Sequence, residues 1–107
     1  MAPVRIISTS TLTGYRHARG AVLRAIEDWH HVAAHATWTT PHAIKATFGN
    51  ASIIDQDRVV FNLCGNKHRI VARIDYRWNM LFILWIGTHA EYDLIDAASI
   101  TYRKDTP

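Results

Sequence analysis

The sequence predicts an α+β domain, and three features of it do so. An apolar stripe at helical spacing runs from Ala21 to Ala36, three strand-length apolar runs follow between Arg58 and Gly87, and turn-forming residues separate those runs. After one short strand, helices precede a meander of strands, and a helix with one buried stripe should cover that sheet.

The totals fit one domain over residues 1–107. A chain of 107 residues falls in the usual single-domain range, and folding at that size buries roughly two-thirds of the unfolded surface, enough for one core. Apolar residues make up 49% and charged residues 20%, a globular balance that excludes a disordered chain. Twelve Lys+Arg against nine Asp+Glu give a net charge of +3, with a pI near 9.4. A mild excess of this kind suits an anionic partner, but an ordinary soluble protein carries it too. Cys64 stands alone, so no intrachain disulfide forms and a reducing cytosol is the expected home. No segment has the pattern of a signal peptide, and no apolar run reaches transmembrane length, so a cytoplasmic chain without membrane association is expected.

Taken in order, Val4 to Ile7 reads as a short strand, after which Ser8, Thr9 and Ser10 offer helix caps. A short helix is expected from about Thr11 to Ala18, interrupted by Gly14. The clearer helix spans Ala21 to Ala36: Val22, Ile26, Trp29, Ala33 and Ala36 form a buried stripe that should cover a sheet, opposite Arg24, Glu27, Asp28, His31 and His35. His31 and His35, beside His30, stand one turn apart, a spacing that two ligands of one metal would use. With no cysteine and no carboxylate at a defined spacing, solvated histidines are the better reading, and no metal or other cofactor is expected. Thr40 before Pro41 is a cap followed by proline at the first helical position, so Pro41 to about Thr47 is helical and Gly49-Asn50 ends it.

Ser52 to Ile54 is extended, Asp55-Gln56-Asp57 turns, and Arg58 to Leu63 is a strand. Cys64-Gly65-Asn66 supplies a tight reversal, because Gly and Asn tolerate positive φ. From Lys67 to Arg77 the chain alternates: Ile70, Ala72, Ile74 and Tyr76 face one way, and Arg69, Val71, Arg73, Asp75 and Arg77 the other. Trp78-Asn79 turns the chain into Met80 to Gly87, a central strand by its continuous apolarity. If the segment after it is helical, His89 shares a face with Tyr92 and Asp93. Leu94 to Ala98 follows, and Tyr102 to Pro107 reads as a polar tail.

Two groups of residues carry chemistry. Arg69, Arg73 and Arg77 form a row on one sheet face, with Lys67 and Arg58 near one end; guanidinium forks match phosphate oxygens, and a row of them suits a polyanion. The bland alternative is a charged strand face that keeps the protein soluble. RNA cleavage needs no metal when side chains position the 2′-hydroxyl, move its proton, neutralise the phosphate and protonate the departing 5′ oxygen. His89 and Tyr92 suit the proton steps, Arg69 and Lys67 the charge. Spacing alone leaves a second reading of Thr88 to Asp93, a capped helix start with a structural tyrosine.

The strings Phe61-Asn62-Leu63-Cys64-Gly65-Asn66-Lys67-His68-Arg69 and Gly87-Thr88-His89-Ala90-Glu91-Tyr92-Asp93, with Ile44-Lys45-Ala46-Thr47-Phe48 and Arg58-Val59-Val60 upstream, resemble the HigB family of bacterial toxins, similar in fold to RelE. The similarity covers most of the chain and is strongest from Lys45 to Asp96. It implies a RelE-like α+β domain, with two N-terminal helices packed on a small antiparallel-rich sheet and a short C-terminal helix. It also implies the toxin of a type II toxin–antitoxin module, an mRNA interferase or endoribonuclease (a hydrolase) that binds RNA and acts in a ribosome-dependent manner. The implied partners are mRNA, the ribosome, and a helix-turn-helix antitoxin of the HigA kind that inhibits the toxin and represses the operon.

Carried over by position, the resemblance puts Asn66 and Arg69 among the RNA-facing hairpin residues, His89 and Tyr92 at the C-terminal active site, and Lys67 on phosphate. One departure bears on activity: Leu84 stands where members commonly carry Arg or Lys. Losing one such donor can cost roughly 100- to 1,000-fold in rate. His68, where an aromatic often stands, and Gly49-Asn50 depart less. Three readings follow: an active endoribonuclease, a catalytically weakened toxin working mainly as antitoxin partner and co-repressor, and a non-catalytic RNA-binding module.

Overall fold

The computed structural model describes residues 3–55 and 57–101. Gln56 in the expected turn, and the expected tail from Tyr102 to Pro107, lie outside the described residues. The elements run β1 (Arg5–Ile7), α1 (Ser10–Thr13), α2 (Gly20–Ala34), α3 (Pro41–Thr47), β2 (Ser52–Asp55), β3 (Arg58–Leu63), β4 (His68–Asp75), β5 (Met80–Thr88) and α4 (His89–Tyr92). They build one five-stranded sheet in the order β1-β5-β4-β3-β2. β2 through β5 pair antiparallel, and β1 lies parallel to β5 through Arg5↔Met80, Ile6↔Leu81 and Ile7↔Phe82. The α+β class and the antiparallel-rich sheet are as expected, and three helices precede β2, the number the residue pattern predicts and one more than the resemblance implies. No helix among the described residues is long and apolar enough to cross a membrane.

Local chemistry explains most boundaries. β1 stops after Ile7 because Ser8, at φ 68°, turns the chain toward α1. α1 is shorter than the expected Thr11–Ala18: it ends at Thr13, and Gly14 caps it with its amide on Ser10 and Leu12 carbonyls. α2 begins at Gly20 and ends two residues before Ala36, whose amide still donates to the Ala33 carbonyl at 3.1 Å. α3 is capped as expected: the Thr40 hydroxyl accepts from the Ala43 amide at 3.2 Å, and Pro41 takes the first position. Past its other end Lys45 Nζ donates to the Gly49 and Ala51 carbonyls at 2.9 and 2.6 Å, which ties the helix to the turn that follows. Leu94 to Ala98 is not helical but a run of turns.

The sheet has two covered faces. α2, with α1 and α3, lies over the larger core, in which Leu12, Ile26, Trp29, Trp38, Ile44, Phe61, Ile70, Ile74 and Leu81 are buried. Its centre is aromatic: Trp29 and Phe48 stand 5.1 and 5.3 Å from the Phe61 ring, spacings at which edge contacts add to area burial. On the opposite face Val60, Val71 and Ala97 form a smaller cluster, with Leu84, Trp85, Tyr92 and Ile95 packed against it. Alternation along β4 therefore holds, with Ile70, Ala72 and Ile74 under the helices and Val71 opposite. β4 is shorter than Lys67–Arg77, however, and Arg77 lies in the turn before β5.

β5 breaks alternation once. The register runs Ala72↔Ile83 and then Val71↔Trp85, so Leu84 is an extra residue in the ladder. Such a bulge puts two successive side chains on one face. Leu84 and Trp85 both join the smaller cluster, whereas Ile83 and Ile86 belong to the core under the helices.

Candidate functional site

At one end of the sheet the β3–β4 turn meets the start of α4. The turn needs positive φ, which Cys64 (52°) and Gly65 (74°) supply. The Cys64 carbonyl accepts from the Asn66 and Lys67 amides at 2.9 and 3.3 Å. The expected left-handed asparagine is not used; Cys64 takes that role, and a residue with Cβ bears some strain there. Asn66 is thereby free to use its side chain. Its Oδ1 accepts from Arg69 Nε at 3.2 Å and Nη2 at 2.9 Å, which holds the guanidinium plane.

Register delivers the second segment. His68 stands opposite Thr88 and Arg69 opposite Gly87, and the His89 amide donates to the Lys67 carbonyl at 2.9 Å. α4 is one turn long and depends on its cap. The Thr88 hydroxyl accepts from the Glu91 amide at 3.1 Å, and Glu91 Oε1 accepts from the Thr88 amide at 2.8 Å, a reciprocal capping box. The other Glu91 oxygen pairs with Arg16. That hydrogen bond, followed by the Thr88 amide, holds the Glu91 carboxyl down at about 2.

On this turn His89 Nδ1 lies 3.3 Å from Asp93 Oδ2, the expected four-residue pairing, which orients the imidazole. The Tyr92 ring carries Arg69 Cζ 4.5 Å above its centroid, with Trp85 beside it at 6.2 Å. Trp85 in turn lies across Gly87: a Cβ there would sit 2.4 Å from the indole. An imidazole, a phenol, a fixed guanidinium and the exposed Lys67 therefore share one open sheet end. Such a set is equipped to hold a phosphate and move protons beside it.

Other candidates lie elsewhere. Lys67 and Arg58 sit at opposite ends of the β3–β4 hairpin, not together, since Arg58 pairs with Arg73 and Leu63 with His68. Arg58 donates from Nη1 to the carbonyls of Ala97, at 3.1 Å, and Ile100. Arg73 stacks on Phe82 at 4.9 Å and lies 3.8 Å from Asp57. Arg77 stacks on exposed Trp78 at the far turn. Leu84 is on the Arg69 face, packed in the smaller cluster. His31 and His35 are exposed, and His35 Nδ1 is bonded to the His31 carbonyl at 2.7 Å. Among the described residues no group of three or more His, Cys, Asp or Glu is placed to hold a metal.

Residues that sequence reasoning passed over border the same sheet end. Arg16 holds Glu91, and Tyr15 and His17 approach His68. The Tyr15 hydroxyl and His68 Nδ1 are 2.8 Å apart. Burial, then the neighbouring His17, lowers the His68 pKa. Burial raises the Tyr15 pKa, with Glu91 adding to it. These partners are more than fifty residues apart, and no local spacing announces them.

Comparison with known proteins then bears on the chain. The family described as HigB_toxin, RelE-like toxic component of a toxin-antitoxin system, matches residues 23–95. The mRNA interferase toxin HigB of Escherichia coli strain K12 is 34% identical over 67 residues. The proteins named mRNA interferase HigB from Escherichia coli O157:H7 and from Shigella flexneri are similar to the same degree. Each match covers 60% of this chain and 64% of the relative, so the chain spans just under two-thirds of these relatives' length.

Proposed function

The chain belongs to the HigB family of RelE-like toxins, and on that premise we propose that it is the toxin of a type II toxin–antitoxin module, an endoribonuclease that cuts mRNA on the translating ribosome. The observation that carries this reading is the meeting of Asn66, Lys67 and Arg69 with His89 and Tyr92 at one open sheet end, from segments about twenty residues apart. The proposed partner that silences it is a helix-turn-helix antitoxin of the HigA kind, and the compartment is the cytoplasm.

In this mechanism the 2′-oxygen of the message attacks the adjacent phosphorus as its proton passes to His89 Nε2. Asp93 on Nδ1 steadies the imidazole that becomes charged. Arg69, held by Asn66, and Lys67 meet the charge growing on the phosphate oxygens. The bond from phosphorus to the 5′ oxygen breaks, and that oxygen leaves with a proton for which the Tyr92 hydroxyl is the donor. Arg73 extends the cationic face along β4. Arg77 is assigned only an outlying contact with the message, and Arg58, taken up by the Ala97 and Ile100 carbonyls, none.

Induced expression should arrest growth and fragment translated message, mapped as new 5′ ends that vanish when translation is blocked. His89→Ala should relieve the arrest while the purified protein melts as the wild type does. A fully toxic His89→Ala variant removes the assignment.

A further inference from the structure

Across the Lys67 turn from Arg69 stands a second group of side chains that this mechanism does not use. His68 follows Lys67 on β4 and belongs to the helix side of the sheet. Its ring centroid lies 5.7 Å from that of His17 and 5.6 Å from that of Tyr15, and the Tyr15 and His17 rings are 5.3 Å apart. Tyr15 is buried and bonded to His68 Nδ1, so the rear of the group is fixed. His17 and His68 are half-exposed at the front. Lys67 adjoins His68 and Arg16 adjoins His17 along the chain, both exposed, and the nearby carboxylate, Glu91, is occupied by Arg16 and the Thr88 cap.

Flat rings open on one side, one of them tethered at its rear, beside cations, suit one kind of ligand. Single-stranded RNA presents splayed bases with π-faces and a phosphate at every step, and proteins bind it with aromatic platforms beside basic side chains. A plain core histidine would be enclosed, and a solvated one would not be tied to a buried tyrosine fifty-three residues away.

We infer that His17 and His68 form a base-stacking subsite for a nucleotide flanking the cleaved bond, with Lys67 bridging the two phosphates between subsite and cleavage site. The inference rests on the RNA reading above and deepens it. His68 and Arg69 are neighbours on β4 and face opposite sides of the sheet, so message held at Arg69 rounds the open Lys67 end to reach the imidazoles. His17 supplies the outer stacking surface. Tyr15 is a positioning residue that keeps the His68 ring plane constant.

The test uses the full chain and a fluorescent twelve-nucleotide RNA, 2′-O-methylated throughout so that no 2′-oxygen can attack. His17→Ala should weaken binding about 10-fold, within the range for loss of one stacked base, and His17→Phe should restore it to within about 2-fold. Thermal melts of both variants should match the wild type. In parallel, mapped 5′ ends from expressing cells should show the base preference beside the cut flattened by His17→Ala, with cutting retained.

Unchanged binding and unchanged base preference in His17→Ala overturn the subsite, as does His17→Phe binding no better than His17→Ala, or a wild type with no affinity for the probe. Failure of the two readings is distinguishable. Tight, His17-dependent binding without cleavage in any setting removes the nuclease and keeps the subsite; cleavage with no dependence on His17 does the reverse.

Discussion

Replacing Gly87 with alanine places a methyl group where the Trp85 indole lies. The new carbon would sit 2.4 Å from Cζ2 and Cη2 of Trp85, and 3.1 Å from Glu91 Oε1. Carbon atoms pack at about 3.5–4.0 Å, so more than an ångström of overlap must be relieved. Gly87 itself is not in the left-handed region, which leaves sterics as the whole effect. The indole tip can swing, but swinging it gives up its contact with Tyr92 and frees the ring beneath Arg69. An aromatic pair is worth about 0.5–1.5 kcal/mol and an exposed cation–π contact about 0.5–1 kcal/mol. Holding the indole in place instead incurs overpacking strain of about 1–3 kcal/mol. Both routes converge on a loss of about 2 kcal/mol, or a Tm lower by roughly 10 °C for a domain of this size. Urea and thermal melts followed by circular dichroism measure it. In a Trp85→Ala background the same substitution should cost less than about 0.5 kcal/mol, because the clashing atoms are gone. A Gly87→Ala protein that melts with the wild type, or an equal loss in both backgrounds, refutes the reasoning.

Three further outcomes follow from the same contacts. Glu91→Gln keeps the capping box and loses the ion pair with Arg16: the wild-type carboxyl is held at about 2 in the fold against 4.5 when unfolded, so its contribution is full above pH 4.5 and disappears as the pH falls toward 2. Melts between pH 2 and 6 should show the wild type losing stability more steeply than Glu91→Gln, and parallel curves would count against the pair. Arg58→Met keeps the aliphatic stem but removes the donors to the Ala97 and Ile100 carbonyls; hydrogen exchange from Ala97 to Ile100 should rise, with about 1.5–3 kcal/mol lost, the usual worth of charged hydrogen bonds. Leu84→Arg adds a guanidinium to the Arg69 face and should raise cleavage of translated message at least 10-fold. An unchanged rate would mean that Arg69, Lys67 and Arg73 already saturate the phosphate.

Period-two and period-3.6 patterns reach the fold because they report which side of an element meets the core. They place Ile26, Trp29 and Ala33 under α2, and Ile70, Ala72 and Ile74 under the helices. They are silent wherever both faces are apolar. Along Met80–Thr88 the inserted Leu84 leaves no mark in the composition, because Ile83, Leu84, Trp85 and Ile86 suit either side. The length of α1 is similarly hidden. Gly14 reads as an interruption, and only the amide placement on Ser10 and Leu12 makes it the end.

For the site, the decisive variable is what covers the sheet face opposite the helices, and strand alternation carries no information about it. Arg58, Arg69 and Arg73 all belong to β3 or β4 and look equivalent in sequence. The turns after α4 lay Ala97 and Ile95 over Val60 and Val71, so the Arg58 guanidinium finds the Ala97 and Ile100 carbonyls before any ligand can reach it. The covering segment leaves the Lys67 end open, and Arg69 emerges there above Tyr92 with its plane fixed by Asn66. The same opening exposes His17 and His68 on the other side of the strand. Coverage by the C-terminal turns thus sorts one row of arginines into a structural clamp and a candidate phosphate ligand. Cutting the clamp with Arg58→Met should therefore loosen the Ala97–Ile100 segment and expose Val60 and Val71.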